Sequence, residues 1–270
     1  MKRSDFIKIA SVLLCVIIFY SFGCSSGKEK SNSTDTAVKS IGNQSKVNST
    51  DNEAPFGQKN DSTSNEGNAF DISSLKIADI SYESINSLLK NQKEVVQISW
   101  STDNHCVAFS VGDMGWDDQM YLWKLGKSEP VEIKDVKDRI CNFLWSSNNN
   151  YVLADAGSSI QRGGYIVDVQ NQIKTDEIGY VGNTFWSPDS KWIAIGQVSN
   201  IQPSVAIELM GTVDMCIYNI VTKEKKIIDQ GTADYYYSPK KWDTGGLLTC
   251  VKVDFKDPNK QEVITYKINN

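Results

Sequence analysis

Short apolar runs alternate with polar turns through most of the chain, and the alternation is itself repeated. Each repeat opens with Trp-Ser or a close variant, continues through a polar turn, and then enters a run of apolar residues. The openings are at Trp100, Trp145 and Trp186, with a fainter copy at Tyr237, so successive openings lie 45, 41 and 51 residues apart. A period of this length indicates a four-stranded unit copied side by side.

Aligning the repeats predicts four strands in each, and hence an all-β fold: a β-propeller of about four four-stranded blades. One short helix is predicted before the first repeat, since Ile85, Leu88 and Leu89 share a helical face. The last repeat lacks a fourth strand, which would expose unpaired backbone groups. Residues 74–80 are therefore predicted to complete it, with an open arc or a paired assembly as the alternatives.

The third repeat resembles a known family. Residues 186–195 read Trp-Ser-Pro-Asp-Ser-Lys-Trp-Ile-Ala-Ile, which is similar to the repeat of TolB-type propellers. The likeness covers about residues 95–268, and the turn is altered in the other three copies. The resemblance implies the fold. It implies little about activity, because that family includes both protein-binding modules and the gating domains of peptidases.

The first 24 residues predict export and lipid attachment. Lys2, Arg3 and Lys8 precede an apolar run at residues 9–20, which is short for a membrane span. Residues 21–24, Ser-Phe-Gly-Cys, resemble a bacterial lipobox, in which Cys24 would be lipidated; Ser21 departs from the usual aliphatic residue. An uncleaved membrane anchor is the alternative. Both interpretations place the protein at the cell membrane, facing outside the cytoplasm.

Three segments are therefore predicted: a lipoprotein signal peptide (1–24), a tether (25–69) and a propeller domain (70–270). The tether is rich in Ser, Asn and Thr and has few apolar residues, so we expect it to be disordered. The net charge of −5 carries no basic stripe, which argues against nucleic acid as a partner.

Four cysteines lie within the predicted strands: Cys106, Cys141, Cys216 and Cys250. Each stands in an apolar pattern, where a free thiol behaves as a small hydrophobic side chain. We expect buried free thiols. Because an exported domain could pair them, a disulfide between Cys106 and Cys141 is the first alternative.

The loops between second and third strands are the irregular parts of the repeats, and we expect binding residues there. The loop of repeat 1 contributes Asp113, Trp116, Asp117 and Asp118, and the long insert of repeat 3 contributes Ile201 and Ile207. An exposed aromatic side chain would suit a partner. The alternative interpretation is a solvated acidic turn in repeat 1 and a covering hairpin in repeat 3.

The chain offers little conventional catalytic chemistry. Its only histidine, His105, lies in a turn, so a Ser–His–Asp triad or a zinc site is not expected, and no cofactor or metal is predicted. The sequence therefore predicts a non-catalytic module that binds an envelope protein, a peptide or a glycan. The alternatives are a cell-envelope hydrolase or lyase using loop carboxylates, and an oligomeric accessory or sensor domain.

Overall fold

The computed structural model describes residues 38–40, 71–206 and 211–268. The chain divides into two compact units, Met1–Asp35 and Thr36–Asn270, and all described residues belong to the second. The predicted signal peptide, Cys24 and most of the predicted tether lie outside the described residues.

The regular secondary structure of the described part is mostly β-strand. One α-helix, α1 (Tyr82–Lys90), and one 3-10 helix (Ile72–Leu75) precede the repeats. The strands are β1 (Val38–Ser40), β2 (Val95–Trp100), β3 (Cys106–Val111), β4 (Gln119–Lys124), β5 (Val131–Lys137), β6 (Ile140–Trp145), β7 (Tyr151–Ala156), β8 (Gln161–Asp168), β9 (Ile173–Trp186), β10 (Trp192–Val198), β11 (Val213–Asn219), β12 (Lys225–Asp229), β13 (Tyr235–Trp242), β14 (Leu247–Asp254) and β15 (Gln261–Lys267).

The strands form three sheets, ordered β2-β3-β4-β5, then β6 through β12 in sequence, then β13-β14-β15-β1. We call β2–β5 repeat 1, and β6–β8 with the first part of β9 repeat 2. The rest of β9 with β10–β12 is repeat 3, and β13–β15 is repeat 4. Within each repeat, consecutive strands pair antiparallel, as a chain of hairpins requires.

Repeats 2 and 3 share one strand. β9 runs for 14 residues without a turn. Its Val181 pairs with Gln161 of β8 on one side and with Gly196 of β10 on the other. The fourth strand of repeat 2 therefore continues directly into the first strand of repeat 3, which is why their sheets merge into one of seven strands.

The predicted closing strand is wrong. Residues 74–80 begin in the 3-10 helix and then lie beside repeat 1, where Lys76 forms a 2.9 Å ion pair with Glu129. The strand beside β15 is instead β1, from within the predicted tether, and it pairs in parallel: Val38 opposite Thr265 and Ser40 opposite Lys267. Main-chain hydrogen bonding, rather than an apolar pattern, accounts for the pairing of β1 with β15.

Helix α1 covers the outer face of repeat 1. Ser81 caps its first turn by accepting a hydrogen bond from Ser84 N, and its fully buried Ile85 and Leu89 face the sheet. Trp100 packs against the ring of Tyr82, with centroids 4.5 Å apart, and donates from Nε1 to Asn86 Oδ1. The helix therefore stands where a preceding repeat would meet this tryptophan.

The core lies between successive layers. Four clusters of buried side chains join α1 to repeat 1, repeat 1 to repeat 2, repeat 2 to repeat 3, and repeat 3 to repeat 4. Fully buried members are, in that order, Leu89 and Trp123, Leu122 and Val152, Leu153 and Ile193, and Ala194 and Tyr266. Burying these faces against one another supplies the main stabilising free energy, because a sheet alone cannot hide both faces.

A tyrosine–aspartate hydrogen bond crosses each junction between repeats. Tyr165 Oη in repeat 2 donates to Asp138 Oδ2 after repeat 1 at 2.9 Å. Tyr218 in repeat 3 donates to Asp176 in repeat 2. Burial and the neighbouring carboxylate raise the pKa of both tyrosines, so each phenol keeps the proton that it donates.

The Trp-Ser turns of repeats 1 to 3 share one geometry. In repeat 3, Ser187 Oγ donates to Asp189 Oδ1 at 2.6 Å and accepts from Trp192 N at 2.9 Å. The residue four places after each tryptophan has a positive φ: 57° at Asn104, 59° at Asn149 and 60° at Ser190. Asparagine tolerates this left-handed conformation better than most residues, which accounts for its use at two of the three turns.

The fourth copy of the turn does not begin at Tyr237. That residue lies within β13, and Pro239 marks an irregularity in the strand, where proline is tolerated. The equivalent turn follows Trp242: Asp243 Oδ1 accepts from Gly245 N and Leu247 N, and Gly246 has a φ of 77°. One carboxylate there takes over the role that Ser and the Asp or Asn two residues later share in the other repeats.

All four described cysteines are free thiols, as expected, and the alternative Cys106–Cys141 disulfide is not formed. Cys106, Cys216 and Cys250 are buried, and burial raises the pKa of each thiol to about 12. Cys141 is half-buried and donates to the carbonyl oxygen of Gly157 at 2.9 Å.

Candidate functional site

The sheets have two distinct ends. Thr102 Oγ1 in the turn of repeat 1 donates to Asn149 Oδ1 in the turn of repeat 2, and Asn148 N donates to Ser190 Oγ in the turn of repeat 3. The Trp-Ser turns therefore lie together at one end, the turn end. Because a hairpin strand runs the length of its sheet, the loops between second and third strands lie at the opposite end, the loop end.

The loop of repeat 1, residues 112–118, presents two exposed large apolar side chains at the loop end. Trp116 is 65% exposed and Met114 is 54% exposed. Met114 has a φ of 63°, a strained conformation for a side chain of its size. A tryptophan held out from a short, folded loop is a common anchor for a protein partner.

Asp118 is fully buried, so its predicted place among exposed loop acids is wrong. The backbone N–H groups of Asp113, Met114 and Gly115 face its carboxylate and lower its pKa, but burial has the larger effect and the net pKa is raised. A Cβ at Gly112 would lie 2.0 Å from Asp118 Oδ1. The loop closes around this carboxylate, although neither oxygen makes a hydrogen bond of normal geometry with the described residues, and only glycine fits at position 112.

The other two predicted acids remain at the surface. Asp117 has a side chain 88% exposed, and Lys137 Nζ lies 3.5 Å from its Oδ1. Asp113 Oδ1 lies close to Gly115. Asp118 faces inward, and the charge of Asp113 contributes to its raised pKa.

The insert of repeat 3 spans residues 199–212. It is two residues shorter than the predicted insert, residues 197–212, because Gln197 and Val198 belong to β10. Ile201 is 40% exposed and accepts a hydrogen bond from Thr212 N at 2.7 Å. Ser204 N donates to Ala233 O, so the insert reaches the connection that leads to repeat 4. Ile207 lies outside the described residues.

A charged cluster at the loop end of repeat 2 was not predicted from the sequence. Arg162 Nε lies 2.7 Å from Asp155 Oδ1, and Tyr180 Oη donates to the same oxygen at 2.5 Å. Burial raises the pKa of Asp155, although Tyr180 and Arg162 lower it in part. The three residues come from β7, β8 and β9, so only strand pairing brings them together and no local motif could have revealed them.

The described residues include no group of three His, Cys, Asp or Glu side chains placed to share a metal ion. His105 lies at the turn end, where its Nδ1 is 2.8 Å from Asp103 O. It is therefore remote from the predicted binding loops. Among the same residues, no helix has the length and apolar character that a membrane crossing requires.

No family model matches the chain, and no curated protein matches it. Among solved structures it is similar to the β-propeller domain of the Trilobed protease from Pyrococcus furiosus, with 12% identity, a TM-score of 0.44, and coverage of 66% of this chain and 56% of that one. The mainly antiparallel, repeated sheets agree with the predicted propeller class.

Two other similar structures are peptidases. For the prolyl endopeptidases the identity is 13%, the TM-score is 0.45, and 70% of this chain and 31% of that one are covered. For the acylaminoacyl peptidase of Pyrococcus horikoshii these values are 11%, 0.44, 65% and 31%. The chain thus matches between 31% and 56% of the length of the three structures.

These peptidase neighbours contradict the prediction that the protein is not an enzyme. At 11% to 13% identity they do not establish an activity for this chain either. The absence of a recognisable catalytic motif in one sequence does not separate binding propellers from propellers that belong to enzymes.

Proposed function

We propose that this protein is an extracytoplasmic lipoprotein, anchored through Cys24, whose four TolB-type blades carry a surface that binds a component of the cell envelope. The binding surface is the loop end, centred on Trp116. The observation that carries the proposal is the 65% exposure of this side chain in a loop that is otherwise folded around a buried carboxylate.

The order of the loop supports a binding role. A flexible loop would lose conformational entropy when it bound, whereas a loop already held by Asp118 loses less. Met114 and Ile201 add exposed apolar surface at the same end of the sheets. Asp117 and Lys137 supply charges of both signs beside it, as in the polar rim of a protein interface. An envelope protein therefore suits this surface better than a glycan or a short peptide.

Four blades are supported by the four turns that follow Trp100, Trp145, Trp186 and Trp242. Each turn places a residue of positive φ four positions after its tryptophan. The lipid anchor is supported by the basic start of the chain, its apolar run and the sequence Ser-Phe-Gly-Cys at residues 21–24.

Affinity capture from membranes tests the binding surface. The full chain and its Trp116→Ala variant are each cross-linked in intact cells, and the recovered envelope proteins are compared. Val221→Ala is the matched control, since Val221 is 64% exposed but lies between β11 and β12 at the turn end. We expect Trp116→Ala to lose partners that Val221→Ala keeps. Recovery of the same proteins by both variants would place the binding surface elsewhere.

Metabolic labelling with a fatty-acid analogue tests the anchor separately. The wild-type protein should take up the label and fractionate with membranes, and the Cys24→Ala variant should do neither. Labelling that survives this substitution would exclude Cys24 as the attachment site. That result would not bear on the binding surface around Trp116, which the capture experiment tests separately.

A further inference from the structure

A cleft of about 350 Å³ lies at the turn end, between repeats 3 and 4. Pro188 of repeat 3 forms one side, and Trp242, Thr244, Gly246 and Lys267 of repeat 4 line the rest. It is separate from the surface proposed above, which lies at the loop end. Clefts of this size accommodate small molecules or the end of a peptide.

The turns of repeats 3 and 4 lack the side chains that join the turns of the earlier repeats. At the junction of repeats 1 and 2, Thr102 donates from both its backbone N–H and its hydroxyl to Asn149 Oδ1, at 3.2 and 3.0 Å. At the junction of repeats 2 and 3, Ser147 Oγ donates to Ser187 O, and Ser190 Oγ accepts from Asn148 N. Both junctions are thereby closed at the turn end.

At the junction of repeats 3 and 4, both partners of this contact are replaced. Pro188 stands two residues after its tryptophan, where Thr102 and Ser147 stand in the earlier repeats, and proline has neither an N–H nor a hydroxyl. Gly246 stands at the positive-φ position of Asn149 and offers no side-chain acceptor. The two turns therefore cannot hydrogen-bond as the others do.

The indole N–H of Trp242 is the second unusual feature of this junction. Trp145 Nε1 donates to Ser99 Oγ at 3.1 Å, and Trp186 Nε1 donates to Leu144 O at 2.9 Å, each in the preceding repeat. Trp242 Nε1 is buried and has no hydrogen-bond partner in the part of the chain that the structure describes. A buried donor without an acceptor is costly, so an acceptor brought by a ligand would be stabilised there.

Each polar side chain that lines the cleft carries a hydrogen-bond donor. Besides the Trp242 indole, Thr244 has a hydroxyl, and Lys267 has an ammonium group that donates to Gly245 O while remaining exposed. The nearby Asp243 already accepts from Gly245 N and Leu247 N through Oδ1. A donor-lined cleft with one cation favours an acceptor of negative charge.

We propose that this cleft binds a carboxylate, which accepts from Trp242 Nε1 and is paired with Lys267. The carboxylate has two sources of the right size: the C-terminal residue of a peptide, or a free small carboxylic acid. In either case Pro188 and the flat backbone of Gly245 and Gly246 contact the apolar part of the ligand.

Titration by nuclear magnetic resonance tests the proposal on the full chain, kept in detergent because of its apolar N-terminal run. The probes are N-acetylalanine, acetate and the neutral N-acetylalanine amide. We expect N-acetylalanine to shift the Trp242 indole resonance and the amides of Gly245 and Gly246 in a saturable manner, and the neutral amide to bind at least tenfold more weakly. Acetate binding as tightly as N-acetylalanine would identify a free acid as the ligand class.

Three variants complete the test. Trp242→Phe keeps an aromatic ring but removes the N–H, and should weaken N-acetylalanine binding at least tenfold, as followed at Gly245 and Gly246. Trp186→Phe removes an indole that already has a partner, and should bind normally. Lys267→Met should weaken binding at least fivefold, which keeps the test decisive if Trp242→Phe does not fold. Equal binding of the acid and the amide, no saturable shift, or wild-type affinity in Lys267→Met would overturn the proposal.

Discussion

The phenol of Tyr266 in repeat 4 donates a 2.9 Å hydrogen bond to Asp229 Oδ2 in repeat 3. Tyr266 is fully buried, and burial and the charge of Asp229 raise its pKa, so it remains a donor at any physiological pH. Together with the bonds of the half-buried Tyr165 and Tyr218, it means that each repeat after the first is joined to its predecessor by a tyrosine hydroxyl and a carboxylate.

Tyr266→Phe should lower the free energy of unfolding by about 1.5–3 kcal/mol, the usual value for a hydrogen bond to a charged group. The ring still packs, so the loss measures the hydroxyl. Tyr82→Phe is the control, because the Tyr82 ring also packs on a neighbour but its hydroxyl makes no hydrogen bond among the described residues. Urea unfolding compares the two, and equal losses would show that the bond to Asp229 contributes nothing special.

Ser187→Ala should lower the free energy of unfolding by about 1–3 kcal/mol, because the substitution removes the hydroxyl that accepts from Trp192 N and donates to Asp189. Ser187 is fully buried, and its hydroxyl bonds to both Asp189 and Trp192 N. The exposed Ser158 is a matched site, where alanine should change stability by no more than about 0.5 kcal/mol. If both variants unfold at the same urea concentration, the turn does not stabilise the repeat.

Asp214→Asn should change the pH dependence of stability. Burial and the charge of Asp229 raise the pKa of Asp214 above 3.8, although Gly231 N donates to its Oδ1 at 2.9 Å. The folded protein therefore holds this proton to a higher pH than the unfolded chain does. As pH rises from 3.8 through the raised pKa, the wild type loses stability relative to Asp214→Asn, which keeps the acceptor oxygen.

Thermal unfolding from pH 3.5 to pH 7 provides the measurement for Asp214. This interval runs from about the ordinary pKa of an aspartate to neutral pH. The gap between the Asn variant and the wild type should widen as pH rises. Asp257→Asn, which changes an exposed carboxylate, should run parallel to the wild type. A gap that narrows toward neutral pH would reverse the assigned direction.

Trp116→Phe should remove the tryptophan most accessible to acrylamide. Trp116 is 65% exposed, whereas Trp123 is fully buried and the other five tryptophans are half-buried. The variant should therefore show a smaller quenching constant and unchanged stability, because few contacts are lost. Undiminished quenching would mean that the side chain folds against the domain.

Lys39→Pro should release β1 from β15, since proline lacks the N–H that a sheet ladder needs. Backbone amides of Thr265, Tyr266 and Lys267 should then exchange with solvent faster, while those of β14 keep their protection. Val38→Thr leaves the backbone intact and should exchange like the wild type. Unchanged exchange in Lys39→Pro would show that β15 does not need this partner.

The sequence predicted the repeats because their signal is local. Trp100, Trp145 and Trp186 each precede a turn whose side chains bond within six residues, so spacing alone reveals them. The fourth turn was not predicted because its residues differ from those of the other turns. Asp243 accepts the backbone hydrogen bonds there, and Gly246 supplies the residue of positive φ. Tyr237-Ser238 imitates the motif by composition only, within a strand.

The remaining errors concern contacts that leave no local pattern. β1 pairs with β15 along the main chain, and this pairing leaves no pattern in the sequence that would reveal it. Asp118 looked like its neighbours in sequence, and only the closed loop, with Gly112 against its carboxylate, shows that it faces inward. The cluster of Asp155, Arg162 and Tyr180 requires three strands to pair before it exists.

The shared strand β9 determines where the gene could accept new coding sequence. At the other junctions a few residues of connection separate one repeat from the next, whereas Val181 hydrogen-bonds to strands of both repeats 2 and 3. A segment inserted beside Val181 would split a continuous ladder, so repeats 2 and 3 can be duplicated, lost or recombined only as a pair.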